Sequence, residues 1–174
     1  MNDIATSRTG GVADLVAPAR HASVGEGLQA AEAARTRDDP AGALQILSEL
    51  RAAFPEHPVP LLRAAALLSQ LRRFDEAETL LTDGAARFPD DAGFAIERAW
   101  IAHRRGDFAE AASRFAGVRA TVADHPVGFI GGAMALRDSG DFAGAETLLN
   151  EAIQRFPDQP GPRYRLRLGG SCPA

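Results

Sequence analysis

The chain has 174 residues, long enough for one domain with a substantial core, and its 45% hydrophobic and 24% charged residues are typical of a globular protein. Its net charge of −4 gives no sign of the basic face that nucleic-acid binding requires. No stretch approaches the roughly 20 apolar residues that span a bilayer, so we expect neither a nucleic-acid nor a membrane partner.

The basic residues and the single cysteine indicate the kind of organism and the cellular compartment of the protein. All 19 basic residues are arginine, which indicates either the coding bias of a GC-rich bacterial genome or selection for arginine-specific contacts. Cys172 is the only cysteine, so no internal disulfide can form, as is usual in a reducing compartment. The first residues lack the continuous apolar run of a secretory signal. We therefore expect a bacterial, cytoplasmic protein.

A repeat begins after the first 23 residues. Four segments align without gaps and start 34 residues apart, at Asp38 (DDPAGALQIL), Arg72 (RRFDEAETLL), Gly106 (GDFAEAASRF) and Gly140 (GDFAGAETLL). One column of this alignment always holds alanine: Ala43, Ala77, Ala111 and Ala145. A fixed period over four copies indicates a repeat architecture.

Each copy has the signals of two helices. Gly106 favours the left-handed conformation that closes a helix, and Asp107 favours the start of the next one. Asp107 and Glu110 have the spacing of a capping box. The second helix is predicted to end at a Phe-Pro step such as Phe88-Pro89, because the residue before proline leaves helical geometry.

The 34-residue two-helix unit resembles the tetratricopeptide repeat. The small position of the first helix is kept as Ala31, Ala65, Ala99 and Ala133. Two large positions are undersized in the third copy, where Ala95 and Ala102 fill them, and Arg98 stands where the family pattern has leucine.

The resemblance implies an all-α, right-handed α-solenoid of about four units. They would cover residues 24–157, with approximate bounds 24–57, 58–91, 92–125 and 126–159. Residues 1–23 are expected to be a flexible leader, and residues 160–174 a short partial cap with Tyr164, Leu166 and Leu168.

In this family the first helices line a concave face, and the resemblance carries a partner-binding groove onto this chain. An apolar stripe edged by basic residues is expected there: Leu62, Ile96, Trp100, His103, Arg104, Ile130, Met134 and Arg137. An aromatic residue beside methionine and arginine is typical of an interaction hot spot. The composition favours an apolar helix or loop as the partner over a charged tail.

Two alternatives compete with an open groove. Trp100 could belong to the core, because Arg98 makes the packing of the third unit unusual. The leader could also occupy the groove through Val12, Leu15 and Val16. The incomplete cap further predicts self-association, or a partner, at the C-terminal end.

No set of residues indicates chemistry. His57 and His125 precede proline at repeat junctions, where they are expected to be turn residues, and no cysteine or histidine partner stands at zinc-site spacing. We therefore predict no metal, no cofactor and no enzymatic activity. Gly131-Gly132 lies inside a predicted helix at a cost of about 1 kcal/mol per glycine, which indicates close approach of a neighbouring helix or of a partner's backbone.

The sequence thus predicts a scaffold or adaptor that binds a protein partner. One alternative is an accessory or regulatory module for a bacterial enzyme, such as a glycosyltransferase or another glycan-modifying system, because similar alanine- and arginine-rich repeats occur beside such enzymes. A chaperone for secretion or assembly substrates is a further alternative.

Overall fold

The computed structural model describes residues 21–157, which form eight α-helices. The helices are α1 (Val24–Thr36), α2 (Pro40–Ala53), α3 (Val59–Gln70), α4 (Phe74–Arg87), α5 (Gly93–Arg105), α6 (Phe108–Thr121), α7 (Val127–Asp138) and α8 (Phe142–Arg155). The predicted leader residues Val12, Leu15 and Val16, Cys172, and the predicted cap residues Tyr164, Leu166 and Leu168 lie outside the described residues.

The helices stack in two layers. Each odd-numbered helix packs on the even-numbered helix that follows it, and that helix packs on the next odd-numbered one. The odd-numbered helices also contact each other across units, α3 with α5 and α5 with α7, as the inner layer of a curved solenoid does. The expected all-α solenoid is confirmed over residues 21–157, and its odd-numbered helices are the ones that the resemblance places on the concave side.

One position per unit closes the turn between the paired helices. Its φ is positive in all four units: 60° at Asp38, 64° at Arg72, 94° at Gly106 and 92° at Gly140. Only glycine adopts this left-handed conformation without steric cost, so the first two units hold strained residues where the last two do not.

Two of the second helices begin with an aspartate cap onto a glycine at the third helical position. Asp39 Oδ1 accepts from the amide of Gly42 at 2.8 Å, and Asp141 Oδ1 accepts from the amide of Gly144 at 2.9 Å. A Cβ at residue 42 would lie 2.1 Å from the Asp39 carboxylate, so this geometry needs glycine. The third unit has Glu110 at the equivalent position.

The predicted capping box at Asp107 is wrong. The side chain of Asp107 makes no capping hydrogen bond to the start of α6. Glu110 instead accepts from Arg114 Nε at 2.7 Å.

The core of the third unit is filled differently from the expectation. Ala95, which was expected at a large core position, is exposed, whereas Phe94 is 1% exposed and Ile101 is fully buried. The Phe94 ring stacks on Phe88 with centroids 6.0 Å apart and fills the space left by the missing side chain of Gly84. The two neighbouring large side chains make up for the undersized alanines.

The buried apolar residues form three clusters along the solenoid. The first joins α1, α2 and α3, the second joins α3, α4 and α5, and the third joins α5, α6 and α7. Gly131 makes the third junction possible, because a Cβ there would lie 2.3 Å from the Phe115 ring. Close approach of a neighbouring helix thus accounts for the glycine pair.

Candidate partner-binding surfaces

The eight residues expected in the groove lie on three inner helices, α3, α5 and α7, and each is half-buried. We call the partner-binding face predicted from these eight residues the concave groove: Leu62, Ile96, Trp100, His103, Arg104, Ile130, Met134 and Arg137. Half-burial fixes the position of a side chain and leaves part of it exposed for contact.

Trp100 lies between the core and the concave groove. Its ring meets Phe115 of α6 edge to face, with centroids 4.8 Å apart and planes at 74°. His103 contacts the same ring at 5.9 Å and 81°. Trp100 is therefore neither fully buried nor fully exposed, and it links the surface to the fully buried Phe115.

The basic edge of the groove is bonded within the protein at α7. His103 Nε2 lies 2.9 Å from Asp138 Oδ2, which joins α5 to α7. Arg137 Nε donates to Asp138 Oδ1 at 2.7 Å. The hydrogen bond from Arg137, with a smaller contribution from His103, holds the pKa of Asp138 below its ordinary value.

Arg104 is held in the same way between α3 and α5. Its Nη1 donates to the buried hydroxyl of Ser69 at 3.1 Å, and its carbonyl accepts from Arg72 Nη1 at 2.9 Å. Glu97 lies nearby with Oε2 3.9 Å from Arg104 Nη1, and this buried oxygen has no hydrogen-bond partner among the described residues. Burial raises the pKa of Glu97, an effect that Arg104 and Arg63 reduce only in part.

A cavity of about 490 Å³ lies at the other end of the concave side, and half of its lining occupies columns that the resemblance places in the groove: Leu28, Glu32, Arg35, Ala66 and Gln70. It lies between α1 and α3, with residues of α2 at its base. Small side chains leave it open, and Arg35 and Arg63 stand at its rim. Its lining is Leu28, Ala31, Glu32, Arg35, Ala43, Leu47, Arg63, Ala66, Leu67 and Gln70.

Arg98 points to the outer layer, where it joins a charged cluster. Arg98 Nε donates to Glu78 Oε2 at 3.1 Å, and Arg114 Nη1 donates to Glu78 Oε1 at 2.5 Å. Burial raises the pKa of Glu78, but the hydrogen bonds from Arg114 and Arg98 outweigh it, so the net pKa is below the ordinary value. An arginine fits the place of the family's leucine because a carboxylate lies opposite.

The C-terminal end of the described solenoid exposes apolar side chains. Ile153 of α8 is 67% exposed and Phe142 is 51% exposed. One unit earlier, the column of Ile153 holds Arg119, whose Nη1 donates to the carbonyl of Gly128 on the following inner helix at 3.1 Å. Ile153 thus lies on the face that a following helix covers elsewhere in the solenoid.

The histidines at the repeat junctions have structural contacts. His125 Nδ1 accepts from the amide of Val127 at 3.1 Å, at the start of α7, and His57 lies beside Glu56. Between residues 21 and 157, no three His, Cys, Asp or Glu side chains come together in a way that could hold a metal ion. No helix in this part of the chain is long and apolar enough to cross a membrane.

Comparison with known families decides the classification. Two sequence profiles described as tetratricopeptide repeat match residues 34–101 and 131–172, which together exceed half of the chain. The chain belongs to the tetratricopeptide-repeat family. Comparison with curated protein sequences gives no significant match.

Solved structures of other repeat proteins share the fold. MamA from Desulfovibrio magneticus RS-1 has 16% identity and a TM-score of 0.59 over 74% of this chain and 73% of MamA. Yeast Tom70 has 18% identity and a TM-score of 0.66 over 75% of this chain, which spans 29% of Tom70. YrrB, described as a tetratricopeptide-repeat protein with an unusual peptide-binding site, has 18% identity and a TM-score of 0.59 over 77% of this chain and 69% of YrrB.

Proposed function

We propose that this tetratricopeptide-repeat protein is a scaffold or adaptor that binds an apolar helix or loop of a protein partner in the concave groove. The observation that carries the proposal is that the basic side chains at the edge of the groove already form hydrogen bonds within the protein. His103 and Arg137 share Asp138, and Arg104 is bonded to Ser69. Because these basic side chains already have partners, we expect a bound protein to contact the half-buried apolar side chains of the groove instead.

The cavity between α1 and α3 extends the concave surface toward the N-terminal end. Its apolar base, with Leu47 and Leu67, suits a large aliphatic side chain of the partner. Binding sites commonly combine such an apolar pocket with a few polar groups at the rim. Arg63 and Gln70 supply that rim here.

Capture from the native host with paired variants tests the proposal. Ala66→Arg puts a long charged side chain into the cavity, and Ile130→Arg does so in the groove. Ala116→Arg is the control, because Ala116 is exposed on the outer helix α6. The partner should be captured by the wild type and the control, and lost with both inner variants that fold normally.

The identity of the captured protein separates the candidate roles. An enzyme whose activity changes on binding would make the chain an accessory module, and a glycosyltransferase would support the specific alternative. Capture that both inner variants retain would contradict the concave site. We propose no catalytic activity, and turnover by the purified chain would contradict that part.

We also propose that the exposed face of α8 around Ile153 mediates self-association. A hydrophobic side chain 67% exposed, where other units bury the equivalent face, favours contact with a second copy. A cytoplasmic location in a bacterium remains part of the proposal, and fractionation of the native host tests it.

A further inference from the structure

The outer layer contains a second cavity that the concave groove does not use. It has a volume of about 360 Å³ and lies between α2 and α4, with Leu68 of α3 at its base. We call it the α2–α4 cleft. It is lined by Leu44, Arg51, Leu68, Arg73, Glu76, Thr79 and Leu80.

Arg51 is the unusual group in this cleft. Its Nε is buried and has no hydrogen-bond partner among the described residues. Its Nη2 lies 3.5 Å from the hydroxyl of Ser48, which is at the limit of a hydrogen bond. A half-buried guanidinium is costly unless a charged or polar group compensates it.

Arginines at related positions of the outer layer have the close hydrogen-bond partner that Arg51 Nε lacks among the described residues. Arg119 occupies the column of Arg51 two repeats later, and it donates to the carbonyl of Gly128 at 3.1 Å with Glu151 nearby. In the next cleft along the outer layer, Arg114 is bonded to Glu78. The column of Glu78 holds Leu44 in the α2–α4 cleft, so the carboxylate is absent there.

Arg73, the second arginine of the cleft, is not available to bind another anion. Arg73 donates from Nε and Nη2 to the two carboxylate oxygens of Glu76, both at 2.6 Å. That pair is neutral, so within residues 21–157 the cleft has one uncompensated positive charge, on Arg51. Burial lowers the pKa of Arg51, but the guanidinium remains charged at physiological pH.

We propose that the α2–α4 cleft binds an aspartate or glutamate side chain of a protein partner, with Arg51 as its counter-ion. A planar carboxylate matches the fork of the guanidinium and supplies the single negative charge that the cleft lacks. A phosphate dianion fits less well, because its charge of about −2 exceeds the single positive charge of Arg51. The leucine walls favour apolar residues on both sides of the acidic one.

This site lies in the outer layer and is independent of the proposed concave groove. A partner could therefore be held at the outer cleft whether or not the concave groove is used. If the groove variants still capture the partner, the concave site is contradicted. If the peptide titration below fails, the cleft is contradicted, and neither result bears on the other site.

A peptide titration tests the cleft directly. The probes are N-acetyl-Leu-Glu-Leu-amide and its glutamine counterpart, and the readout is the ¹⁵N–¹H signal of Arg51 Nε, assigned by its loss in Arg51→Lys. The glutamate peptide should shift this signal saturably, and the glutamine peptide should bind at least about tenfold more weakly. Equal shifts with both peptides, or no shift with either, would overturn the proposal.

A matched pair of variants separates the site from general charge effects. Ser48→Glu places a carboxylate three residues before Arg51 on the same helix, so it should compensate Arg51 and abolish binding of the glutamate peptide. Thr82→Glu makes the same charge change in the same column one repeat later, where Ala85 replaces the arginine, and should leave binding unchanged. Equal loss in both variants would contradict a site at Arg51.

Two further probes test the chemical class. Acetate alone should shift the Arg51 signal far more weakly than the glutamate peptide, because it makes no contact with the leucine walls. Acetate binding as tightly as the peptide would overturn a protein partner in favour of a small carboxylate. Tighter binding of the phosphoserine peptide N-acetyl-Leu-pSer-Leu-amide would overturn the carboxylate assignment.

Discussion

The ring of Phe94 lies against the backbone of Gly84, where an added Cβ would stand 2.0 Å from Cε1 of the ring. Phe94 is buried and stacked on Phe88, so it cannot move away cheaply. We expect Gly84→Ala to destabilise the protein by about 1–3 kcal/mol, as overpacking does, in spite of the higher helix propensity of alanine. Urea denaturation measures the change.

Gly117 provides the control for this substitution. It also lies inside a helix, α6, but an added Cβ there would meet no atom of the described residues within 4 Å. Gly117→Ala should stabilise the protein by up to about 1 kcal/mol. Equal effects of the two substitutions would mean that Phe94 does not occupy the space beside Gly84.

Glu78 should stabilise the fold in a pH-dependent way. Because its pKa is lowered in the folded state, its contribution is present above the ordinary value of 4.5 and is lost as the pH falls through the lower folded pKa. Glu78→Gln should cost about 1–3 kcal/mol at pH 7, because Arg98 and Arg114 lose their shared acceptor. The difference from the wild type should shrink in acid, and a difference that is constant with pH would contradict the cluster.

Glu97 should show the opposite dependence. Its pKa is raised by burial, so its ionised form disfavours folding once the pH rises above the ordinary value of 4.5 and through the folded pKa. At pH 7 we expect Glu97→Gln to be as stable as the wild type or more stable. As the pH falls, the wild type should gain stability relative to the variant, which urea titrations at several pH values can follow.

Trp100 should report on the state of the concave groove. Because it is half-buried and packed on Phe115, acrylamide should quench its fluorescence only in part. Phe115→Leu should shift the emission to longer wavelength, whereas Phe142→Leu, at an exposed ring, should not. Emission that acrylamide cannot quench would place Trp100 in the core and remove it from the proposed site.

Self-association should depend on Ile153. Ile153→Glu places a charge on the exposed face of α8 and should shift the protein toward the monomer in light scattering. Gln154→Glu adds the same charge at the next exposed position and should leave the association state unchanged. A wild type that remains monomeric at all concentrations would exclude self-association.

The repeat period made the fold predictable from the sequence. A column such as Ala43, Ala77, Ala111 and Ala145 is decisive because each member is buried at the same place in successive units. The all-α solenoid and the family follow from that pattern. The residues of the concave groove were placed by column in the same way, and their role in binding stays a prediction.

Departures from the repeat were the part that the columns could not predict. The burial of Phe94 instead of Ala95 depends on the space above Gly84, ten residues earlier and in another unit. The missing cap bond at Asp107 could not be predicted either, because Asp107 and Glu110 have the spacing of a capping box. Both features depend on the packing of particular side chains, and neither the period nor the composition contains them.

The α2–α4 cleft was missed for a related reason. In the next unit, Glu78 and Arg114 fill the space that corresponds to the cleft beside Arg51. Here the same two columns hold Leu44 and Leu80, and the space between them stays open. Comparing charges column by column would have found Arg51 without a carboxylate. The volume of the cleft, however, depends on three-dimensional packing.

The division of the buried residues into three clusters has a consequence for local opening of the molecule. The inner helices α3 and α5 each contribute to two clusters, whereas α1 and α7 each contribute to one. In a solenoid each unit is stabilised mainly by its neighbours, so opening starts at the ends and proceeds inward. Backbone amides in α3 and α5 should therefore exchange with deuterium most slowly, and those in α1 and α8 should exchange first.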